Sequence, residues 1–335
     1  MSRSVFKCID AHTCGNPVRL IVEGAPVLKG TNMSEKRQFF LNNFDWIRKG
    51  LMFEPRGHDM MSGAIISPPN NKENDFSILY IETSGCLPMC GHGTIGAVTI
   101  AIEEKVIVPK NAGKLSVETP AGLIKVKYEL EGDKVKFVEL INVDSFLAAE
   151  NYSICSENLG DIYFDVAYGG NYYAIIEPQN NFSGIENYTA GNIIRFSQEI
   201  RQKINNKYPN VFIHPEDSTI NGVSHLLWTG KTLDINSSSR NAVFYGDKAI
   251  DRSPCGTGTS ARMAQLFHKG KLQIGEEFIH ESYIGSKFIG KIKKKSKVGR
   301  FNAISPSIRG WAKVYGYNTI VIDDNDPYAY GFQVI

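Results

Sequence analysis

The strongest constraint on this chain is an echo of itself. Residues 90–97 read CGHGTIGA and residues 255–262 read CGTGTSAR, so both begin C-G-x-G-T. Cys90 and Cys255 lie 255 − 90 = 165 positions apart, close to half of the 335 residues. Each cluster follows β-like sequence (76–82 and 241–245) and precedes helix-compatible sequence, AVTIAIEE and AQLFHKGK. A repeat at that offset predicts two related halves, each presenting one cysteine at the start of a helix. The length also exceeds a single core of about 150 residues, which favours two domains.

The remaining pattern is mostly strand. VRLIV (18–22), FSILYIE (76–82), GLIKVKYEL (122–130), KVKFVELINV (134–143), NYYAII (171–176) and NTIVID (318–323) are short β-rich runs. Glu131-Gly132-Asp133 reads as a hairpin turn between two of them. Helical periodicity is rarer. Phe40, Phe44 and Ile47 mark one face of 34–49, with Ser34 as its expected N-cap, and Ile193, Phe196, Ile200 and Ile204 mark 190–206. Strands outnumber helices without alternating regularly with them. An α+β fold with largely antiparallel sheets is therefore expected.

Charge and hydropathy exclude several function classes. The chain carries 37 Lys+Arg against 35 Asp+Glu, a net +2 that offers no field for a nucleic-acid backbone. The basic run KIKKKSK (291–297) has no interleaved aromatics and alternates like an exposed strand, so a solvated edge or hairpin is expected there. No run approaches the ~18 apolar residues of a membrane span. The start, MSRSVFKCIDAHTCGNPVRLIVEG, has no continuous apolar stretch of the export type. Six cysteines are too few for a disulfide scaffold. A cytoplasmic protein with reduced thiols is the expectation.

The paired cysteines define a chemistry. A helix N-terminus exposes unpaired amides and the positive end of the dipole, which stabilises a thiolate. The amides of Gly91, His92, Gly256 and Thr257 can hold a carboxylate there. Inverting a carbon that bears hydrogen needs a base on one face and an acid on the other, and a thiolate and a thiol supply both without metal or cofactor. The rival reading is dinucleotide binding, because Gly91–Gly96 matches G-x-G-x-x-G and Gly256–Ala261 its alanine variant. It requires a crossover unit with an acidic residue about 20 positions on. Glu118 stands near that spacing, but ETPAGLIKVKYEL reads as a hairpin, and a cysteine heading both loops is then unexplained. A non-enzymatic binder of a small amino acid is a third reading, disfavoured by two intact cysteines. Zinc is not expected: Cys86-x3-Cys90, and Cys8 and Cys14 near His12, have no second close pair. Cys8, Cys14, Cys86 and Cys155 read as inert small hydrophobes.

MCGHGTIG (89–96) and DRSPCGTGTS (251–260) resemble the two signature segments of the proline racemase family. AHT (11–13), EPRGH (54–58) and the glycine pair of AYGGNYYAI (167–175) are also similar to its members, and the likeness runs over essentially the whole chain. The resemblance implies a diaminopimelate epimerase-like fold: two pseudo-symmetric domains, each a curved, mainly antiparallel sheet around a central helix, with the site in the cleft between them. A boundary in the 131–133 turn gives an N-terminal domain over 1–132 and a C-terminal domain over 133–311, and the resemblance implies a last strand at about 312–335 returning to the first. It implies Cys90 and Cys255 as the acid/base pair, Gly91, His92, Gly256 and Thr257 around the substrate carboxylate, and Asp251 at the ring nitrogen. The substrate is then a small imino acid, with no cofactor and no metal, and a homodimer is the family expectation.

Within that family, dehydratases of trans-3-hydroxyproline tend to carry Thr where this chain has Cys255. Proline racemases tend to carry Phe where this chain has Ser62, and 4-hydroxyproline epimerases tend to carry His at the position of His225. A ring hydroxyl needs a hydrogen-bond partner, which Ser62 and His225 supply and Phe cannot. Epimerisation of 4-hydroxyproline at C2 is therefore favoured over racemisation of proline. HTCGNPVR (12–19) departs from the form seen in many epimerases, with Asn16 in place of an acidic residue and Cys14 in place of a small one.

Overall fold

A computed structural model describes residues 3–334. The chain divides into two compact units, one of residues up to Leu140 together with Gly310 onward, the other of Ile141–Arg309.

The first unit contains β1 (Arg3–Thr13), β2 (Asn16–Glu23), α1 (Met33–Met52), β3 (Ser62–Ser67), β4 (Phe76–Glu82), β5 (Gly85–Leu87), α2 (Gly91–Glu103), β6 (Lys114–Thr119), β7 (Gly122–Glu131) and β8 (Lys134–Ile141). The second contains β9 (Ser145–Ser156), β10 (Gly160–Tyr168), β11 (Tyr172–Ile176), α3 (Ala190–Lys207), β12 (His225–Gly230), β13 (Ser239–Tyr245), β14 (Ala249–Ile250), α4 (Gly256–His268), β15 (Glu277–Glu281), β16 (Lys287–Val298) and β17 (Phe301–Gly310). The last strand, β18 (Ala312–Asp323), returns to the first unit, antiparallel to β1.

The two units repeat one order of pairings. In the first, β18, β1 and β2 pair antiparallel, β2 joins β3 in parallel across α1, β3 and β4 are antiparallel, and β4 joins β6 in parallel across α2. In the second, β9, β10 and β11 pair antiparallel, β11 joins β12 in parallel across α3, β12 and β13 are antiparallel, and β13 joins β15 in parallel across α4. A short hairpin strand follows β4 and β13 alike, and β6–β7 and β15–β16 close each series antiparallel. The Cys90 and Cys255 motifs thus sit at equivalent points of two copies of one unit. In the second unit β17 pairs with both β16 and β9, so the sheet closes on itself.

Each unit wraps its sheet around a buried helix. Gly91–Ala101 of α2 and Gly256–Leu266 of α4 are buried on every side, as befits a central helix rather than an amphipathic one. The period of two in the strands sorts their side chains between two layers. Ala167, Tyr173, Ile175, Leu227 and Val243 form one cluster with Cys255 and Ala261. Their neighbours Val166, Tyr168, Tyr172, Ala174, Ile176, Trp228 and Phe244 pack outward against α3 through Ile193, Phe196, Ile200 and Ile204. With both faces covered, β4 is buried over its whole length. Leu79 and Ile81 of β4 meet Phe40, Ile47 and Leu51 of α1, while the Tyr80 hydroxyl lies 2.6 Å from Thr94 Oγ1 on α2.

Several local expectations are revised. α1 is capped by Asn32, whose side chain accepts from the Glu35 amide, and Ser34 lies inside the helix. Cys155 is exposed, whereas Cys8, Cys14 and Cys86 are buried. Burial pushes the Cys8 and Cys86 thiols up to about 12, which makes them poor nucleophiles. ETPAGLIKVKYEL does form the β6–β7 hairpin, yet β6 also completes a parallel crossover with β4. Glu118 nevertheless stands at the wrong end of it. It pairs with Ser77 at the start of β4, whereas α2 follows the end of β4. Its carboxylate accepts from the amides of Asn70 and Asn71 and from Asn74 Nδ2, so it holds a loop. KIKKKSK lies in β16 and, as one of the two expected forms, in a hairpin, antiparallel to β17. Among the described residues no helix is long and apolar enough to cross a membrane.

Candidate functional site: two cysteine-capped helices

Cys90 is the N-cap of α2 and Cys255 the N-cap of α4. In each case the sulfur takes the place usually held by a Ser or Asp oxygen. Cys90 Sγ accepts from the Gly93 amide at 3.2 Å, and Cys255 Sγ accepts from the Gly258 amide at 3.4 Å. Glycine at the fourth motif position leaves room for this contact: a Cβ on Gly93 would stand 2.8 Å from Cys90 Sγ, and one on Gly258 3.1 Å from Cys255 Sγ. The amides of the first helical turn have no intrahelical partner by construction, and the dipole adds positive potential at the sulfur.

Around Cys90 the side chains are polar and buried. The His92 ring returns toward its own cap, with Nδ1 3.5 Å from Cys90 Sγ. Nε2 lies 3.1 Å from Ser62 Oγ and 3.0 Å from Asn16 Nδ2. If Asn16 and Ser62 donate to Nε2, the ring proton sits on Nδ1 and faces the sulfur, where it favours a thiolate. Thr13 Oγ1 donates to the His92 carbonyl at 2.8 Å, so the AHT segment holds the helix entrance rather than facing solvent. Gly96 permits the close approach of α2 to β2, since a Cβ there would be 2.8 Å from Val18 Cγ2. Glu82, at the end of β4, is the residue that motif reasoning missed. One ligand atom each from Glu82, Cys90 and His92 lies within 4.8 Å of the others, and all three residues are buried. Cysteine spacing could not reveal this grouping, because the carboxylate arrives from another strand.

Cys255 has a different neighbourhood. Its backbone is in the left-handed region at φ 65°, a strained place for a residue with a Cβ, whereas Cys90 is extended at φ −141°. Tyr173 from β11 places its hydroxyl 3.2 Å from Cys255 Sγ and 2.5 Å from Thr257 Oγ1. Burial, then the Asp251 carboxylate, hold the Cys255 thiol well above its ordinary value, so it rests protonated. Asp251 is itself buried and accepts from the Ser253 amide at 2.8 Å. His225 stands beside Tyr173 in register, with ring centroids 4.8 Å apart and Nδ1 2.7 Å from Ser224 Oγ. The glycine pair has a packing cause: a Cβ on Gly169 would be 2.2 Å from the Thr257 carbonyl, so α4 could not seat against β10.

A buried histidine braces this second loop. His280 Nδ1 is 2.8 Å from Thr259 Oγ1 and its Nε2 3.0 Å from Asn241 Nδ2, and Asn241 also donates to the Pro254 carbonyl. Burial, with Arg262 adding to it, lowers the His280 ring to about 3. Its folded value lies below the unfolded value of about 6.5, so the stability it contributes is complete above pH 6.5 and is lost as pH falls toward 3. Thermal melts from pH 7 to 4 should show a falling midpoint, and His280→Gln should flatten that dependence. An unchanged slope in the variant would contradict the bracing role.

The sequence-selected residues therefore fall into two groups. Ser62, Cys90, Gly91 and His92 gather in the first unit; His225, Asp251, Cys255, Gly256 and Thr257 belong to the second. Two repeated units, each a sheet wrapped on a cysteine-capped helix, define the two-domain epimerase fold class. Residues 8–333 match the family model described as proline racemase, and this chain belongs to that family. It is 58% identical to a protein of Spirosoma linguale named 4-hydroxyproline 2-epimerase, over 100% of both chains. The crystal structure of a hydroxyproline epimerase from Agrobacterium vitis, with bound trans-4-hydroxy-L-proline, superposes with a TM-score of 0.89 at 25% identity, covering 99% of this chain and 96% of that one. A PhzF-family phenazine biosynthesis protein of Bacillus anthracis shares the fold, with a TM-score of 0.63 at 15% identity over 96% of this chain and 99% of that one.

Proposed function

We propose that this chain is a 4-hydroxyproline 2-epimerase, interconverting trans-4-hydroxy-L-proline and cis-4-hydroxy-D-proline without a cofactor. The observation that carries this is the repeated half-site: two buried cysteines, each capping a central helix and each accepting an amide from its first turn. One thiolate removes the α-proton as the other thiol delivers a proton to the opposite face, and the roles exchange in the reverse direction. The resting asymmetry assigns the first turnover, with Cys255 as the acid and Cys90, beside the His92 ring, as the base. The carboxylate lies on the amides of Gly91, His92, Gly256 and Thr257, whose fixed dipoles stabilise charge building at the α-carbon. Asp251 receives the ring nitrogen. His225 and Ser62 receive the ring hydroxyl.

The preference for a hydroxylated ring follows from unpaired-group costs. A buried polar group left without its partner costs about 1–3 kcal/mol, so unsubstituted proline is penalised in a site built for a hydroxyl. His225→Phe should lower kcat/KM for hydroxyproline about 10- to 100-fold while affecting proline far less. Equal losses on both substrates would remove His225 from the hydroxyl contact.

A cytoplasmic setting belongs to the same proposal, supported by six free cysteines; a homodimer and the absence of a nucleic-acid partner complete it. The test is polarimetry of the purified, reduced protein with trans-4-hydroxy-L-proline and L-proline in parallel. Rotation changing on hydroxyproline alone supports the epimerase. Rotation decaying to zero on proline alone makes the protein a racemase and overturns the roles given to Ser62 and His225.

A further inference from the structure

We propose that the Cys90 half-site is also a binding site for a zinc-type divalent cation, held by Cys90 Sγ, His92 Nδ1 and a Glu82 carboxylate oxygen. Three buried donor groups of different types lie with their ligand atoms within 4.8 Å of one another. Thiolate, imidazole and carboxylate together suit a borderline-soft metal, not Mg²⁺ or Ca²⁺, which favour oxygen ligands. The key separation fits. Zn–S of about 2.3 Å and Zn–N of about 2.0–2.1 Å at tetrahedral angles put sulfur and nitrogen about 3.5 Å apart. Cys90 Sγ and His92 Nδ1 are 3.5 Å apart. Glu82 offers the third corner, a carboxylate oxygen within 4.8 Å of the sulfur and of a His92 ring nitrogen, on a strand end that Arg48 Nη1 holds by its carbonyl at 2.9 Å.

The outer groups are those a metal-bound histidine uses. With Nδ1 on the metal, Nε2–H donates to Ser62 Oγ, 3.1 Å away, which fixes the tautomer. Asn16 supports that state once its carboxamide presents oxygen to the ring. Three protein ligands leave a fourth position open. Binding leaves the proton count unchanged: Cys90 binds as the thiolate of the resting enzyme, and the ring proton passes from Nδ1 to Nε2 through solvent as the Zn–N bond forms, with no redox step. A metal-bound sulfur no longer accepts the α-proton, so the cation switches the enzyme off reversibly. This inhibitory consequence rests on the proposed epimerase; the binding itself does not.

The experiment is a Co²⁺ titration of the reduced wild-type protein followed by absorption. One equivalent should produce a thiolate-to-cobalt charge-transfer band in the near ultraviolet and the intense visible bands of a four-coordinate ion, both abolished by added Zn²⁺. Cys255→Ser should keep the spectrum, Cys90→Ser should lose the charge-transfer band, and Glu82→Gln should weaken affinity more than tenfold. Micromolar Zn²⁺ should inhibit turnover, with recovery on adding a chelator. Absence of the band in wild-type protein overturns the site, and so does its survival in Cys90→Ser, which would assign it to exposed Cys155. A cobalt spectrum in a protein inactive on every prolyl substrate leaves the metal site standing and removes the epimerase.

Discussion

Cys90→Ala and Cys255→Ala should each lower kcat for inversion by at least about 10³-fold, with substrate affinity changing far less. Acid–base groups contribute about 10²–10⁴-fold each, and in the proposed mechanism the two act in one proton relay, so losing either stops net inversion. The variants should still differ. Cys255→Ala keeps Cys90 with its His92 neighbour, so exchange of the α-proton with solvent should persist for the one epimer whose hydrogen faces Cys90. Cys90→Ala should show the complementary preference. NMR of the α-hydrogen in D₂O separates exchange from inversion, and wild-type inversion by either variant would end the two-thiol account. Small size keeps the fold: each thiol is an N-cap, and its loss costs about 1 kcal/mol. The pH profile should report the thiols as a coupled pair, because the proposed inversion needs one of them charged while the other is neutral.

The second large effect is structural. Arg19→Met should destabilise the protein by about 3–5 kcal/mol, read from the urea midpoint at constant m. Arg19 and Asp10 form a two-point ion pair, with both N–O distances 2.9 Å and both side chains 7% exposed. Arg19 also donates to the Leu51 and Arg56 carbonyls at 2.8 Å, tying β2 to the end of α1 and the loop after it. Removing the guanidinium leaves the Asp10 carboxylate buried, with Asn318 Nδ2 still donating to it at 2.9 Å. The double variant Arg19→Met/Asp10→Leu should regain much of the loss, since the cost lies in the orphaned charge. A double variant as unstable as the single one would show that packing, not charge, is responsible.

These two residues show what sequence could and could not reveal. The C-G-x-G-T loops were legible because capping is local: cysteine, glycine and helix lie within five positions of each other. The strand runs were legible for the same reason, as period and β-branching are properties of short windows. The motifs AHT, EPRGH and HTCGNPVR were visible, but their work was not. Thr13 braces the His92 carbonyl, Arg19 pairs with Asp10, and Arg56 donates to the Tyr328 and Ala329 carbonyls, so much of the signature is scaffold. Tyr173, Glu82 and His280 escaped notice because each reaches its partner from a different strand. The β4–β6 crossover was missed because a hairpin masks it: β6 pairs in parallel with β4 through only two register partners.

The most direct test is a D₂O experiment begun from unlabelled trans-4-hydroxy-L-proline and stopped well before equilibrium. Two thiols on opposite faces predict that each molecule of D-configured product carries deuterium at the α-carbon, while the remaining substrate keeps its hydrogen. Product that retains the original hydrogen, or substrate that exchanges as fast as product forms, would mean one group serving both faces and would contradict the account.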